Sequence, residues 1–429
     1  MDLRSRLRRM AVRSPVALPA VLPGATQARL GVEAELRRRG WETAQAPAAA
    51  DLLVVCGSPC PEEDRRLDTL LRTMSQPAAR VDVTRPEHAA QALDEGFALL
   101  RDRAASRAES PLGHEDATDG KHDAHPAKGT APAGPAHGPH HDHAGPGHPG
   151  QDAPGGHSGH EGHTMSTVAG LPMADRAADR DGLSLDRLNL PLGPVLADWP
   201  AGLILRCALQ GDIVQEIHVD RLPGPSDGTS FWNEPWSRAA RGEPVERGAA
   251  ARRRCAAHLD SLGRLLSLAG RPDTAARLRH LRDEVLAGAP SGHCGEPLQA
   301  LTKRVERSRT LRWGLAGLGR LSAERARQRG VTGPALEADG DVHDRLLTWS
   351  REARRAVRDF DDGRPLSTGR LIGPRGTVEG TVPPSQALLD LLPELLTGTE
   401  LGCARLIVAS LDPDLDEPVA VPATEGAHA

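Results

Sequence analysis

The chain has 429 residues, which at the usual domain size allows two or three compact units. Only 38% of it is hydrophobic and 2% aromatic, and it carries 45 Gly and 36 Pro, so part of it cannot build a core. The net charge of −5 excludes a nucleic-acid partner held by bulk charge, and the absence of Tyr removes the phenol from any mechanism.

The first residues carry Arg4, Arg6, Arg8, Arg9 and Arg13 ahead of an apolar stretch, the outline of a signal peptide. Pro15, Pro19 and Pro23 interrupt that stretch, and no apolar run reaches the roughly 18–20 residues that span a bilayer. The six cysteines, at 56, 60, 207, 255, 294 and 403, show no disulfide spacing, so a reduced cytoplasmic setting is expected.

Residues 30–105 alternate helical and strand patterns. A helix is expected over 30–39, and a buried strand over Asp51-Leu52-Leu53-Val54-Val55-Cys56, running into Gly57. A helix over 62–74, a short strand at Val81-Asp82-Val83 and a helix over 86–103 complete a small parallel sheet. From 106 to 165 periodicity is lost, and a disordered linker is expected. Here lie eleven of the eighteen histidines: His114, His122, His125, His137, His140, His141, His143, His148, His157, His160 and His163. Imidazoles converging in a flexible chain suit nickel or zinc; the alternative is a solubilising linker of biased composition.

Two strand runs, 201–209 and 213–219, flank Gln210-Gly211-Asp212 and read as a hairpin. Residues 246–363 are mostly helical. One face carries Leu259, Leu262, Leu266 and Ala269 and ends at Gly270 and Pro272; further helices are expected over 273–286, 296–320, 322–329 and 342–360. Ser322 and Asp341 stand as N-caps. A helix over 385–397 and a strand over Arg405-Leu406-Ile407-Val408-Ala409-Ser410 follow, and the tail after 417 is expected to fray.

Leu321-Ser322-Ala323-Glu324-Arg325-Ala326 through Gly330-Val331-Thr332-Gly333-Pro334 resembles the "SAEDA…GVTGP" signature of the quinone-site subunit of NADH–quinone oxidoreductase (complex I) and of its relatives, the large subunits of nickel–iron hydrogenases. Residues 383–396 (PPSQALLDLLPELL) and Ala409-Ser410-Leu411-Asp412-Pro413 are similar to that family's closing "RPPSFANLQALPELL…LGSLDP". Gly340-Asp341-Val342-His343-Asp344-Arg345-Leu346 is similar to its "GDVYDRYL", and the hairpin after Gly193-Pro194 to its first β-hairpin. The resemblance covers about 185–417. Arg13-Ser14-Pro15 and Ala50 to Gly57 more weakly resemble the cluster-bearing partner of that subunit in complex I, which is similar to hydrogenase small subunits, over about 13–105.

This implies an α+β chain in five parts: a truncated α/β module like the hydrogenase small subunit at 1–105, the His-rich linker at 106–165, a β-hairpin region at 166–245, a mainly helical body like the hydrogenase large subunit at 246–417, and a tail at 418–429. Partners would be other complex I or hydrogenase-like subunits, with any membrane contact made through them at the cytoplasmic face.

The departures from the family bear on function. Iron–sulfur clusters need thiolates, and Val21-Leu22-Pro23-Gly24-Ala25-Thr26 stands where related small subunits carry their first cysteine pair, so no iron–sulfur cluster is expected. Cys56 and Cys60 form half a metal site or, alternatively, one buried small residue and one loop thiol. Residues 193–202 lack the family's quinone-site His, and the Tyr is missing. His343 replaces the aromatic of "YDR", either as a polar surface residue or as a substitute proton donor. The hydrogenase terminal cysteine pair would fall at Asp412-Pro413-Asp414-Leu415. Carboxylates there, like those of Asp361-Asp362-Gly363, read as turn residues. His293-Cys294 reads as a loop or a soft-metal pair, and Arg252-Arg253-Arg254 as a solvated helix face or a contact to anionic headgroups. The expectation is a degenerate NADH–quinone oxidoreductase or hydrogenase-like subunit, assembly or accessory in role; the alternatives are a working quinone oxidoreductase subunit and a metal-handling factor.

Overall fold

The computed structural model describes residues 14–109, 167–168, 171–178, 184–224, 230–367, 369, 371–378 and 382–417. The eleven tract histidines, most of the expected linker and the tail after 417 lie outside the described residues.

The N-terminal unit is a three-stranded parallel sheet in the order β1 (Ala17–Val21), β2 (Leu52–Cys56), β3 (Ala79–Val83). Every residue of β2 is buried, because helices cover both faces and a central parallel strand has no solvent side. Leu52, Val54 and Cys56 pack with Val32 and Leu36 of α1 (Thr26–Arg39) and with Leu93 and Leu100 of α3 (Ala89–Glu109). Leu53 and Val55 face Leu67 of α2 (Pro61–Thr73) and Met74. The Pro-interrupted stretch contains β1, and Pro19 is tolerated there because β1 is an edge strand.

The second unit opens with a five-stranded antiparallel sheet: β4 (Thr167–Val168), β5 (Leu171–Ala178), β6 (Ser184–Leu192), β7 (Leu203–Gln210) and β8 (Ile213–Arg221). The expected hairpin is β7–β8, closed by Gly211 at φ 62°. Helices follow: α4 (Glu234–Ala240), α5 (Arg247–Leu268), α6 (Pro272–Leu286), α7 (Ser291–Glu306), α8 (Arg309–Leu315), α9 (Ala323–Gln328), α10 (Pro334–Ala338), α11 (Val342–Val357), α12 (Pro384–Leu396) and α13 (Leu401–Leu411). The fold is thus mixed α+β, with a parallel sheet, an antiparallel sheet and a helical body. Central α5 buries Cys255, Leu259, Leu262, Leu265 and Leu266 in a core shared with α6, α11, α12 and α13. Ser322 caps α9, accepting from Arg325 N at 3.3 Å. Asp341 caps α11, accepting from His343 N at 2.9 Å, while Asp344 answers by accepting from Asp341 N at 3.0 Å.

Two sequence expectations are corrected. Residues 405–410 are helix, not strand: they lie in α13, whose buried Ala404, Ile407, Val408 and Leu411 follow a helical spacing. A short apolar run carries no alternation to separate the two states, and the packing here overrides β propensity. The helix expected over 296–320 is two, broken at Ser308, whose hydroxyl caps α8 at Leu311 N (3.3 Å).

Candidate functional site: a buried arginine–carboxylate core

α13 ends at Asp412, which takes a left-handed conformation (φ 43°) and turns the chain inward. The next residues carry Asp414, Asp416 and Glu417, and all four carboxylates are buried. Buried carboxylates persist only with donors around them, and each has a set. Asp412 accepts from Ser261 Oγ (2.6 Å) and Arg264 Nη1 (3.2 Å), and Arg375 donates to both its carboxylate and its carbonyl at 2.6 Å. Asp414 accepts from Ser230 Oγ at 2.5 Å, and its N–H donates to Ser385 Oγ at 2.8 Å. Glu417 accepts from Asn233 Nδ2 (2.9 Å) and Ser385 N (2.8 Å). Asp416 reaches the N-terminal unit, accepting from Gly24 N (2.6 Å) and Thr26 Oγ1 (3.0 Å).

A second cluster adjoins it. Asp260 of α5, fully buried, accepts from both Arg29 terminal nitrogens (3.1 and 2.8 Å) and from Arg282, with Arg264 at 3.2 Å. Arg282 also pairs with Glu33 at 2.8 Å, and Arg37 pairs with Asp283. Arg29, Glu33 and Arg37 lie on α1, so the two units meet through this network.

The electrostatics of the two clusters differ. Burial alone would raise the Asp260 carboxyl, but Arg29, Arg264 and Arg282 outweigh it and hold Asp260 well below the ordinary carboxylate range. Near Arg375 the carboxylates outnumber the guanidinium. There burial, and then the neighbouring Asp414 charge, push Asp416 up to about 6 and Glu417 up to about 7. His258, buried beside this cluster, is pushed down to about 3 by burial and by Arg254 and Arg375, so it is neutral.

Two small cavities border the core. One, of about 20 Å³, lies between Thr26, Arg29, Trp199, Trp232, Arg375 and Asp414; the other, of about 10 Å³, lies between His258, Ser261, Trp349, Arg375 and Asp412. Each is on the scale of one water molecule, too small for a quinone or a metal cluster.

The candidate cysteines are not brought together. Cys56 is fully buried on β2, its thiol pushed up to about 12 by burial, whereas Cys60 is exposed at the start of α2, so the loop-thiol alternative describes them. Cys207, Cys255 and Cys294 are buried and Cys403 half-buried, and burial raises all four thiols. Inert thiols are the usual outcome of such surroundings. His293 is exposed and pairs with Glu284 (3.2 Å), while adjacent Cys294 points into the core. Among the described residues no group of three or more His, Cys, Asp or Glu side chains is placed to hold a metal ion.

Three expectations about polar residues are corrected. His343 is buried rather than on the surface, and its Nε2 has no partner. Arg252, Arg253 and Arg254 are not a solvated face: their guanidiniums lie over Phe360 (4.6 Å), Phe231 (4.1 Å) and Trp236 (5.3 Å) and donate to the carbonyls of Ala289, Phe231 and Ile372. The Asp412–Asp414 turn is part of a buried network. A run of acids directly after an apolar helix is the one local signal of that network; its partners lie too far away in sequence to be inferred.

No family model and no curated protein matches the chain. Among solved structures, the chain is similar to a chain of the membrane-bound sulfane sulfur reductase, an archaeal respiratory membrane complex. The match covers 53% of this chain and 98% of that chain, at 14% identity and a TM-score of 0.41. No described helix of this chain is long and apolar enough to cross a membrane.

Proposed function

We propose that this chain is a scaffold or accessory subunit of a complex I or hydrogenase-like assembly, in which an arginine–carboxylate core takes the place of a redox centre. The observation that carries the reading is Arg375 held against Asp412 in the segment that resembles the family's "SLDP" closing motif. That is where the resemblance would put the terminal cysteine pair. The donors present are carboxylates, hydroxyls and a permanent cation. They do not fit a cluster, which requires thiolates on metal.

Function is then docking. The five-part organisation inferred from sequence supplies a small α/β unit and a larger body, joined through 106–165. The surfaces around them would meet other subunits of the assembly, at the cytoplasmic face of a membrane. Two measurements test this. Iron, sulfide and visible absorbance of anaerobically purified protein should show no stoichiometric cluster, and quinone reduction from an artificial donor should match the no-protein control. Turnover above that control, or a stoichiometric iron–sulfur chromophore, would favour the working oxidoreductase subunit instead. A pull-down should recover complex I or hydrogenase-like subunits; their absence from it would overturn the docking role.

A further inference from the structure

Trp313 is 87% exposed, the most exposed large hydrophobic side chain among the described residues. The chain's other tryptophans are buried (Trp199, Trp232, Trp236, Trp349) or half-buried (Trp41). Its setting is specific. On α8 Leu311 and Leu315 point inward at i and i+4, which puts Arg309 and Trp313, also four apart, together on the outer face, with exposed Arg312 on its flank. Gly314, Ala316 and Gly317 are also exposed and continue it as a small apolar tip. Exposed Arg307 and Arg320 flank the tip in sequence, and exposed Arg271 donates to Thr310 of α8, bringing a fifth guanidinium alongside.

None of these five guanidiniums is ion-paired with a carboxylate among the described residues. Across the chain about one residue in seven is acidic, yet none is between Arg307 and Ala323. Of the carboxylates that approach from neighbouring elements, Glu306 pairs with Arg354 (2.6 Å) and Asp339 accepts from Ala323 N (2.6 Å), while Asp341 lies at the base of the tip, accepting from Gly317 N (2.7 Å) and from the N–H groups of His343 and Asp344, so one negative charge stands against five guanidiniums. The tip is also held in place. Buried Arg345 donates to Gly319 O at 3.0 Å, Val342 N to Leu318 O at 3.1 Å and Leu321 N to Gly340 O at 2.9 Å. A fixed turn therefore projects one indole ringed by arginines.

We propose that this turn docks on an anionic lipid surface. Indole favours the headgroup boundary, where its ring is covered and its N–H stays wet, and arginines around it meet phosphates. A single indole on a tip of Gly and Ala, with five guanidiniums around it, carries the two features an anionic headgroup layer engages, an interfacial aromatic and a cationic rim. The inference goes beyond the docking role argued above and does not depend on it, because the vesicle experiment contains no partner subunit.

The test is cosedimentation of the full chain with phosphatidylcholine vesicles, with and without phosphatidylglycerol, at low salt. Binding should require the anionic lipid and weaken as salt shortens the screening length from about 10 Å at 0.1 M to about 3 Å at 1 M. Each basic residue near such a surface is worth about fivefold, so Arg309→Glu with Arg312→Glu should weaken binding roughly 25-fold or more. Trp313→Ala should weaken it too and abolish any vesicle-induced blue shift of tryptophan emission. Arg65→Glu, exposed on α2, should change neither readout. All these positions are exposed, and unchanged thermal unfolding would confirm that the variants fold. No binding to anionic vesicles, or binding indifferent to the Arg309/Arg312 reversal, overturns the proposal. So does loss of an acidic protein partner in these variants when vesicles never bind, which would make the turn a protein contact.

Discussion

Replacing Glu417 by Gln should stabilise the protein near pH 8 and leave it almost unchanged near pH 5. Glu417 is buried, and burial together with the Asp414 charge raises its carboxyl from the ordinary 4.5 to about 7. The sign follows from proton counting. Between those two values the folded state holds a proton that the unfolded state has released, so stability falls as pH rises through that window and stays reduced above it. The gap is worth about 3 kcal/mol once both states are ionised. Gln keeps the shape and carries no charge. Its oxygen can accept from Ser385 N, as Glu417 does now at 2.8 Å. Its amide can donate to Asn233 if that amide turns over, since Asn233 Oδ1 is buried without a partner and Nδ2 now faces Glu417 at 2.9 Å. Urea unfolding of both proteins from about pH 5 to 8.5 should therefore show a stability difference that opens across the window and then levels at about 3 kcal/mol. A Gln variant less stable at pH 8, or a difference independent of pH, would refute the argument that the Arg375 cluster holds more negative charge than it neutralises.

Two further outcomes are expected. Asp260→Asn takes from the buried Arg29, Arg264 and Arg282 the carboxylate they share, leaving Glu33 alone between Arg29 and Arg282, and should cost about 3 kcal/mol at neutral pH; because the Asp260 carboxyl is held low, its stabilisation is complete above the unfolded value of about 3.9, so the deficit should shrink only in acid. A neutral-pH loss under about 1 kcal/mol in urea unfolding would contradict the pairing. Removing residues 114–163 should abolish nickel or zinc binding in a calorimetric titration, and in the intact chain that binding should fade below about pH 6.5 as imidazole protonates; unchanged stoichiometry in the shortened chain would mean that the histidine tract is not the site.

What the sequence exposes is local. β2 is legible because a run of five apolar residues ending at a glycine suits a central parallel strand, and the β7–β8 hairpin because Gly211-Asp212 separates two β runs. The caps at Ser322 and Asp341 are legible because their acceptors serve N–H groups two or three residues on. α13 misleads because Ile407 and Val408 favour strands in isolation, and only the surrounding core decides otherwise. The carboxylate core is illegible for a different reason. Asp416 finds Gly24 and Thr26 across 392 and 390 residues, and Asp260 finds Arg29 across 231. In a chain where nearly every cation is Arg, no local pattern singles out Arg375.

Those long-range pairs also bear on how the two units hold together. α1 carries Arg29, Glu33 and Arg37 toward α5 and α6, while the turn before α1 donates Gly24 N and Thr26 Oγ1 to Asp416. Separating the units would strip Asp260 of Arg29 and Asp416 of two donors at once. Opening would also admit water to both carboxylates, so these pairs fix how the units seat on one another more than how tightly they hold. Leu30 of α1 adds to this by packing within the main core of the second unit. The junction between the two units is thus lined by buried charged groups rather than by an open cavity. Under the docking role proposed above, recognition would fall on the outer surfaces rather than at this junction.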